Sequence, residues 1–304
     1  MDILISGATG IVGRALVEHL LAREHRVTVL SRGGPRSDAP YNRVSGHIRW
    51  NPPTVPPAVR AVDGFDALIH LAGEPIAARR WTVAQRKRID ESRVAGTRLL
   101  MKQLHSTESP PPVVISASAV GYYGDTGERT VDEKALPGTG FTPDVCRRWE
   151  AEALAARGFG SRVILLRTGI VLSERGGALA RMLPIFRAGL GGRLGNGLQW
   201  MSWITAGDLA RVVAHCLDHE ELAGPVNAVS PEPVRNRDFT RALARQLGRP
   251  ALAPAPATVL RLMYGRMAEE TLLASQRVRP ALLEQSGFTF ETPGIEAALR
   301  IAVP

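Results

Sequence analysis

The sequence predicts an α/β protein built on a doubly wound parallel sheet, with a smaller C-terminal lobe, and three observations carry that expectation. Short apolar runs at residues 3–5, 27–30, 67–71, 113–116 and 163–166 alternate with longer segments of helical periodicity, the pattern of strands buried between two helical layers. A glycine-rich turn joins the first run to the first helical segment. After about Gly169 the rhythm is broken by Gly176, Gly177, Gly189, Gly191, Gly192, Gly195 and Gly197, and later by Pro231, Pro233 and the proline-rich residues 250–256.

Taken in order, residues 3–5 form the first strand, and the segment after Gly10 places Ile11, Ala15, Leu16 and Leu20 on one stripe that can pack on the sheet. His70 ends the strand counted as the fourth, and Ser116 begins the close of the fifth. A nucleotide-binding domain is expected over residues 1–169, with residues 204–230 returning to it and residues 170–304 forming mainly the substrate lobe.

With 304 residues, 44% hydrophobic and 22% charged, the chain can bury a large core, which argues against disorder. A formal charge of +9 raises nucleic-acid binding, because clustered cations bind phosphate by counterion release. The arginines are instead spread along the whole chain, and the densest cluster, Arg86-Lys87-Arg88, falls on a helix whose outer face water can solvate. Nucleic acid is therefore not expected as a partner. No apolar run approaches the ~20 residues a spanning helix needs, and Met1 leads directly into the first strand, so a cytoplasmic protein without membrane contact is expected. Cys146 and Cys216 are too few for a disulfide framework.

The turn Gly7-Ala8-Thr9-Gly10-Ile11-Val12-Gly13 follows a strand and opens a helix, the context a dinucleotide-binding motif of the Rossmann type requires. Glycines let a pyrophosphate approach the backbone, where free N–H groups and the helix dipole meet its charge. Gly7, Thr9, Gly10, Ile11 and Gly13 are accordingly assigned to the cofactor. The second strand ends in Ser31-Arg32, where an acidic residue would bind the ribose hydroxyls of NAD. A guanidinium can fork onto a 2′-phosphate and Ser31 can add a hydrogen bond, so NADP is the expected cofactor. The bland alternative is that Arg32 is a solvated surface residue.

Several segments resemble the extended short-chain dehydrogenases/reductases, the sugar-nucleotide epimerase group: the turn above, His70-Leu71-Ala72-Gly73, Ser116 to Gly124, Arg93 to Thr97, Leu166 to Gly169 and Trp203 to Asp208. Gly73-Glu74-Pro75-Ile76, Gly121-Tyr122-Tyr123-Gly124, Val145 to Glu150 and Gly287 to Phe290 are similar to an atypical, epimerase-like subgroup. That resemblance implies that Leu71, Ala72, Gly73, Arg93, Arg167, Gly169 and Ile170 lie along the cofactor. Ordinary members of the superfamily use Tyr-x-x-x-Lys on one helix, and this chain has none, since Lys87, Lys102 and Lys134 stand four residues after no tyrosine. Matching Glu152 to the glutamate that follows that motif puts Asp144 at the tyrosine position and Arg148 at the lysine position, where Arg148 can hold a ribose. An ionised Asp144 accepts a proton but cannot donate one.

Hydride transfer needs a group that exchanges a proton with the substrate oxygen, and Ser118, Tyr122 and Tyr123, just beyond the fifth strand, are the candidates. The competing reading packs both rings under the sheet edge and leaves Ser118 capping a turn. His215, Cys216 and His219 have a spacing compatible with zinc but lack further ligands in sequence, so no metal is expected. Trp200 and Trp203 either wall a substrate pocket or fill a core. The expected function is an NADP-dependent oxidoreductase or epimerase on a small polar, sugar-like substrate; the alternative is a non-catalytic NADP sensor or scaffold.

Overall fold

The computed structural model describes residues 1–77 and 79–303. Its strands in chain order are β1 (Asp2–Ser6), β2 (Arg26–Ser31), β3 (Gly46–Arg49), β4 (Ala67–His70), β5 (Val113–Ala119), β6 (Thr130–Val131), β7 (Arg162–Thr168), β8 (Ile170–Leu172), β9 (Trp200–Met201), β10 (Trp203–Thr205), β11 (Gly224–Ala228), β12 (Val234–Arg235) and β13 (Arg277–Val278). The helices are α1 (Ile11–Ala22), α2 (Val83–Asp90), α3 (Gly96–His105), α4 (Phe141–Leu154), α5 (Gly177–Arg187), α6 (Ala206–Asp218), α7 (Asn236–Leu247), α8 (Ala257–Tyr264), α9 (Ala281–Gln285) and α10 (Ile295–Ala302).

Seven strands form one parallel sheet in the order β11-β7-β5-β4-β1-β2-β3. The chain runs outward from β1 to one side through β2 and β3, then returns to the other side through β4, β5, β7 and β11. The reversal falls between β1 and β4, the crevice where sheets of this type bind ligands. Alternation along each buried strand feeds two cores. Ile3, Ile5, Val27, Val29 and Ile69 pack under α1 and α6, while Leu4, Leu30, Leu68, Val114 and Val163 pack under α3 and α4.

Two details differ from the sequence expectation. The buried face of α1 is Leu16, Val17, Leu20 and Leu21, together with Gly13 where the helix lies against the turn, and Ile11 and Ala15 are half-buried. The edge strand β3 went unlocated in the sequence, since Gly46, His47 and Ile48 are half-buried and carry no apolar alternation.

After β7 the chain pairs β8 with β10, β9 with β12 and β13 with β6. A separate core of Leu183, Phe186, Trp203, Phe239, Leu243 and Leu299 joins α5, α7 and α10. β11 pairs with β7 at the sheet edge and α6 packs on α1, so these residues extend the seven-stranded sheet and its helical layer. Among the described residues no helix is long and apolar enough to cross a membrane.

Candidate functional site

The turn after β1 is built from three glycines that do different work. Gly7 has φ +73°, and a Cβ there would sit 2.6 Å from the Leu71 carbonyl carbon. A Cβ at Gly13 would stand 2.3 Å from the Gly7 carbonyl oxygen, so this glycine lets α1 lie against the turn. Gly10 is different: a Cβ there would meet only the Gly7 carbonyl oxygen, at 3.4 Å, an ordinary contact. The protein itself has room for a side chain at Gly10. The N-terminus of α1 also carries no side-chain cap and no acidic residue in its first turn, which leaves its N–H groups and dipole to an anion.

A cavity of about 310 Å³ opens over this turn, lined by Gly7, Thr9 and Gly10, by Ser31 and Arg32 at the end of β2, and by Leu71 to Pro75 after β4. A neighbouring hollow of about 260 Å³ shares Thr9 and Ser31 with it and is lined also by Arg36 and His47. Arg32 is exposed and forms no hydrogen bond or ion pair among the described residues. The Ser31 hydroxyl donates to the Gly33 carbonyl at 3.2 Å and lies 2.8 Å from His47 Nε2. Arg36 is held by Asp38, whose carboxyl that hydrogen bond keeps below the usual range. His47 belongs to β3 and was missed in the sequence for the same reason as its strand.

The β4 loop is fixed from below. Leu71 N–H donates to Ser6 O, Glu74 N–H donates to the Ser92 hydroxyl at 3.0 Å, and Arg93 donates to Glu74 O at 2.8 Å. Arg93 also stacks on Trp149, with its guanidinium carbon 5.2 Å from the ring centre. It thus supports Gly73 and Glu74 through their backbone. Arg148 pairs with Asp90 at 2.5 Å and with Asp144 at 3.0 Å. Asp144, hydrogen-bonded first by Arg147, is held below the usual carboxylate range, and Glu152 pairs with Arg98.

The face of α4 turned toward the end of β5 carries a different set, Thr142, Cys146 and Glu150, spaced four apart. Gly121 lies against Thr142 and Cys146, and Ser118 donates to Glu150 Oε1 at 2.6 Å. Glu150 receives a two-pronged contact from Arg167, both arms at 2.8 Å, with both side chains buried. Arg167 donates in turn to the Tyr123 hydroxyl at 3.0 Å, and Tyr123 donates to Asn227 Oδ1 at 2.7 Å. Burial pushes the Tyr123 phenol up to about 12 and the Cys146 thiol up to about 12. Tyr122 is half-buried, with the Arg167 guanidinium carbon 3.4 Å from its ring centre, and its hydroxyl has no partner among the described residues. The signal for Glu150 in the sequence was its i, i+4 relation to Cys146 and Thr142, which the match through Glu152 overlooked.

Gly169 and Ile170 pack at the start of the lobe: a Cβ on Gly169 would lie 2.6 Å from Ser202 O, and Ile170 N–H donates to the same carbonyl at 2.8 Å. His215 lies 2.8 Å from the Ser286 hydroxyl through Nε2 and stacks on His219 at 3.7 Å. Among the described residues no group of three or more His, Cys, Asp or Glu side chains could hold a metal ion. Trp203 is fully buried, and Trp200 stacks with Arg235 and Arg277.

Residues 3–229 match the NAD dependent epimerase/dehydratase family. The chain belongs to this family. It is an atypical, epimerase-like short-chain dehydrogenase/reductase, since Tyr-x-x-x-Lys is missing. Residues 255–302 match a second family, described as a domain of unknown function. The chain is 39% identical over 300 residues to the epimerase family protein Mb2239 of Mycobacterium bovis, covering 99% of this chain and 97% of that one. It is 35% identical over 304 residues to the human epimerase family protein SDR39U1, covering 99% of each. The crystal structure of human SDR39U1 (isoform 2) with NADPH superposes with a TM-score of 0.89 at 33% identity, covering 99% of both chains. UDP-glucose 4-epimerase from Thermotoga maritima, at 16% identity and a TM-score of 0.78, shares the fold.

Proposed function

We propose that this family member is an NADP-dependent oxidoreductase or epimerase acting on a small polar, sugar-like substrate at the carboxyl edge of the sheet. The observation that carries the cofactor half of this reading is the cleft itself: among the described residues a Cβ at Gly10 would meet only an ordinary contact, Gly10 stands at an uncapped helix N-terminus, and Arg32 at the rim has no partner. The residues fit a dinucleotide with a 2′-phosphate. Gly7, Thr9, Gly10, Ile11 and Gly13 would hold the pyrophosphate, Arg32 with Ser31 the 2′-phosphate, and Leu71, Ala72 and Gly73 the backbone rim. When bound, NADP supplies the hydride acceptor or donor. Human SDR39U1 was crystallised with NADPH, which supports the same cofactor here.

Tyr122 is the proton-transfer group this reading assigns, because its hydroxyl is not committed to the protein, whereas the Ser118 and Tyr123 hydroxyls each donate to a buried partner. The test is titration of NADPH and NADH into wild type and Arg32→Ala. Loss of a charge-assisted contact costs roughly 1.5–3 kcal/mol, and the loss should fall on NADPH alone. An unchanged preference for NADPH in the variant discards the assignment.

A second reading, a non-catalytic NADP-binding sensor or scaffold, is favoured by one observation: Asp144 and Arg148, the residues matched to the tyrosine and lysine positions, are engaged in an ion-pair cluster with Asp90 and Arg147. Single-turnover hydride transfer separates the two.

A further inference from the structure

Arg148, which the sequence match puts at the lysine position of Tyr-x-x-x-Lys, is tied to two carboxylates. Another group lies at the cleft on the same side of the sheet. Glu74 follows β4 and lines the cavity over Gly7 and Gly10. Its backbone is clamped on both sides, by the Ser92 hydroxyl on the N–H and by Arg93 on the carbonyl.

Its side chain is held as well. Arg88 donates twice to the Gln85 side-chain Oε1, at 3.1 and 2.5 Å, which orients the Gln85 amide so that its NH₂ reaches Glu74 Oε1 at 3.3 Å. Gln85 is buried, so this relay is a fixed support. No cation pairs with the Glu74 carboxylate among the described residues, and Oε2 has no hydrogen-bond partner there. The result is a positioned carboxylate with spare acceptor capacity in a cleft otherwise arranged to receive phosphate.

A carboxylate only accepts hydrogen bonds and repels a pyrophosphate, so the part of a dinucleotide that suits it is a neutral group rich in O–H donors. A dinucleotide lies across the reversal between β1 and β4, with its adenosine half toward β2, where Ser31 and Arg32 stand. The half toward β4 would then bring the other ribose toward Glu74, which lines the same cavity. Resting on the cofactor reading above, we infer that the Glu74 carboxylate binds the hydroxyls of the nicotinamide-side ribose. Gln85 and Arg88 are positioning residues for it.

The experiment compares two probes on wild type, Glu74→Ala and Gln85→Met: NADPH, and adenosine 2′,5′-bisphosphate, which carries the 2′-phosphate but lacks the second ribose. Both are titrated calorimetrically, with melting temperature as the folding control. Glu74→Ala should weaken NADPH on the order of tenfold and leave the bisphosphate unchanged, and Gln85→Met should give a smaller loss of the same selective kind. Equal weakening of both probes would mean that Glu74 only shapes the loop, and unchanged NADPH affinity would mean that it touches no ribose; either overturns the inference while leaving the cofactor reading intact. Wild type that binds neither probe overturns the cofactor reading, and this inference with it.

Discussion

His70 lies at the end of β4 directly beneath the cleft, fully buried, and it makes the fold sensitive to acid. Its Nδ1 is 2.6 Å from the Ser6 hydroxyl and its Nε2 is 2.9 Å from the Thr97 hydroxyl, so both ring nitrogens are satisfied by neutral groups. Burial, with no carboxylate beside it, pushes the imidazole from 6.5 down to about 4. A folded value below the unfolded one means that the unfolded chain binds the proton more readily between those limits. The stability contributed by neutral His70 is therefore complete above about pH 6.5 and is lost as pH falls from there toward 4. The gap of 6.5 − 4 at 1.36 kcal/mol per pH unit amounts to roughly 3 kcal/mol. His19, His25 and His215 are also lowered by burial, so the wild-type slope alone does not isolate His70. Urea unfolding of wild type and His70→Asn at intervals from pH 7.5 to 4.5 does. The variant should be the less stable protein at neutral pH, and the difference should shrink by most of that amount on acidification. Parallel curves for the two proteins would refute the reasoning.

Two further contrasts follow from the same geometry. Gly10→Ala should abolish or severely weaken NADPH binding while lowering stability by about 1 kcal/mol at most, whereas Gly13→Ala should destabilise by about 1–3 kcal/mol, since its Cβ would overlap the backbone of Gly7 and Ala8; paired cofactor titrations and urea melts read both. Tyr123→Phe strands Asn227 Oδ1 and removes an acceptor from Arg167, which should cost about 1–3 kcal/mol, while Tyr122→Phe should leave the melting temperature nearly unchanged and lower turnover of any substrate by ~10²-fold or more; normal turnover in Tyr122→Phe removes it as the proton-transfer group.

The sheet and its glycine-rich turn were legible because their signals are local. Strand apolarity, the spacing of Gly7, Gly10 and Gly13, and Ser31-Arg32 at the end of β2 all lie within short windows, and the structure brings them to one cleft. β3 was not legible, because an edge strand half open to water carries weak alternation. The network at the end of β5 was hidden for another reason. Ser118, Glu150, Arg167, Tyr123 and Asn227 come from β5, α4, β7, the turn after β5 and β11, and only the parallel register that sets Ser118 opposite Arg167 brings them together. Asp144 and Arg148 illustrate the converse. The match through Glu152 put them at the tyrosine and lysine positions, and in the structure they pair with each other and, through Arg148, with Asp90 at the end of α2.

The buried Glu150–Arg167 pair bears on where chemistry can occur. Removing two charges from water costs several kcal/mol per ion, and their mutual attraction offsets that only when the remaining donors and acceptors are satisfied. Here they are: Ser118 supplies a donor to Glu150, Arg167 spends a third contact on Tyr123, and Asn227 closes the chain. A network so fully connected is a poor source of protons, since giving one up would leave a buried charge or an orphaned hydroxyl. It is a good platform. It fixes the end of β5 to α4 and β11 and sets a guanidinium under the ring of Tyr122, whose hydroxyl alone of the three candidates has no bond to the network. On the proposed reading the network holds the carboxyl edge in place and the Tyr122 hydroxyl is the group that would act at it, so the substitution that removes only that hydroxyl discriminates between a working active site and a cofactor-binding fold without one.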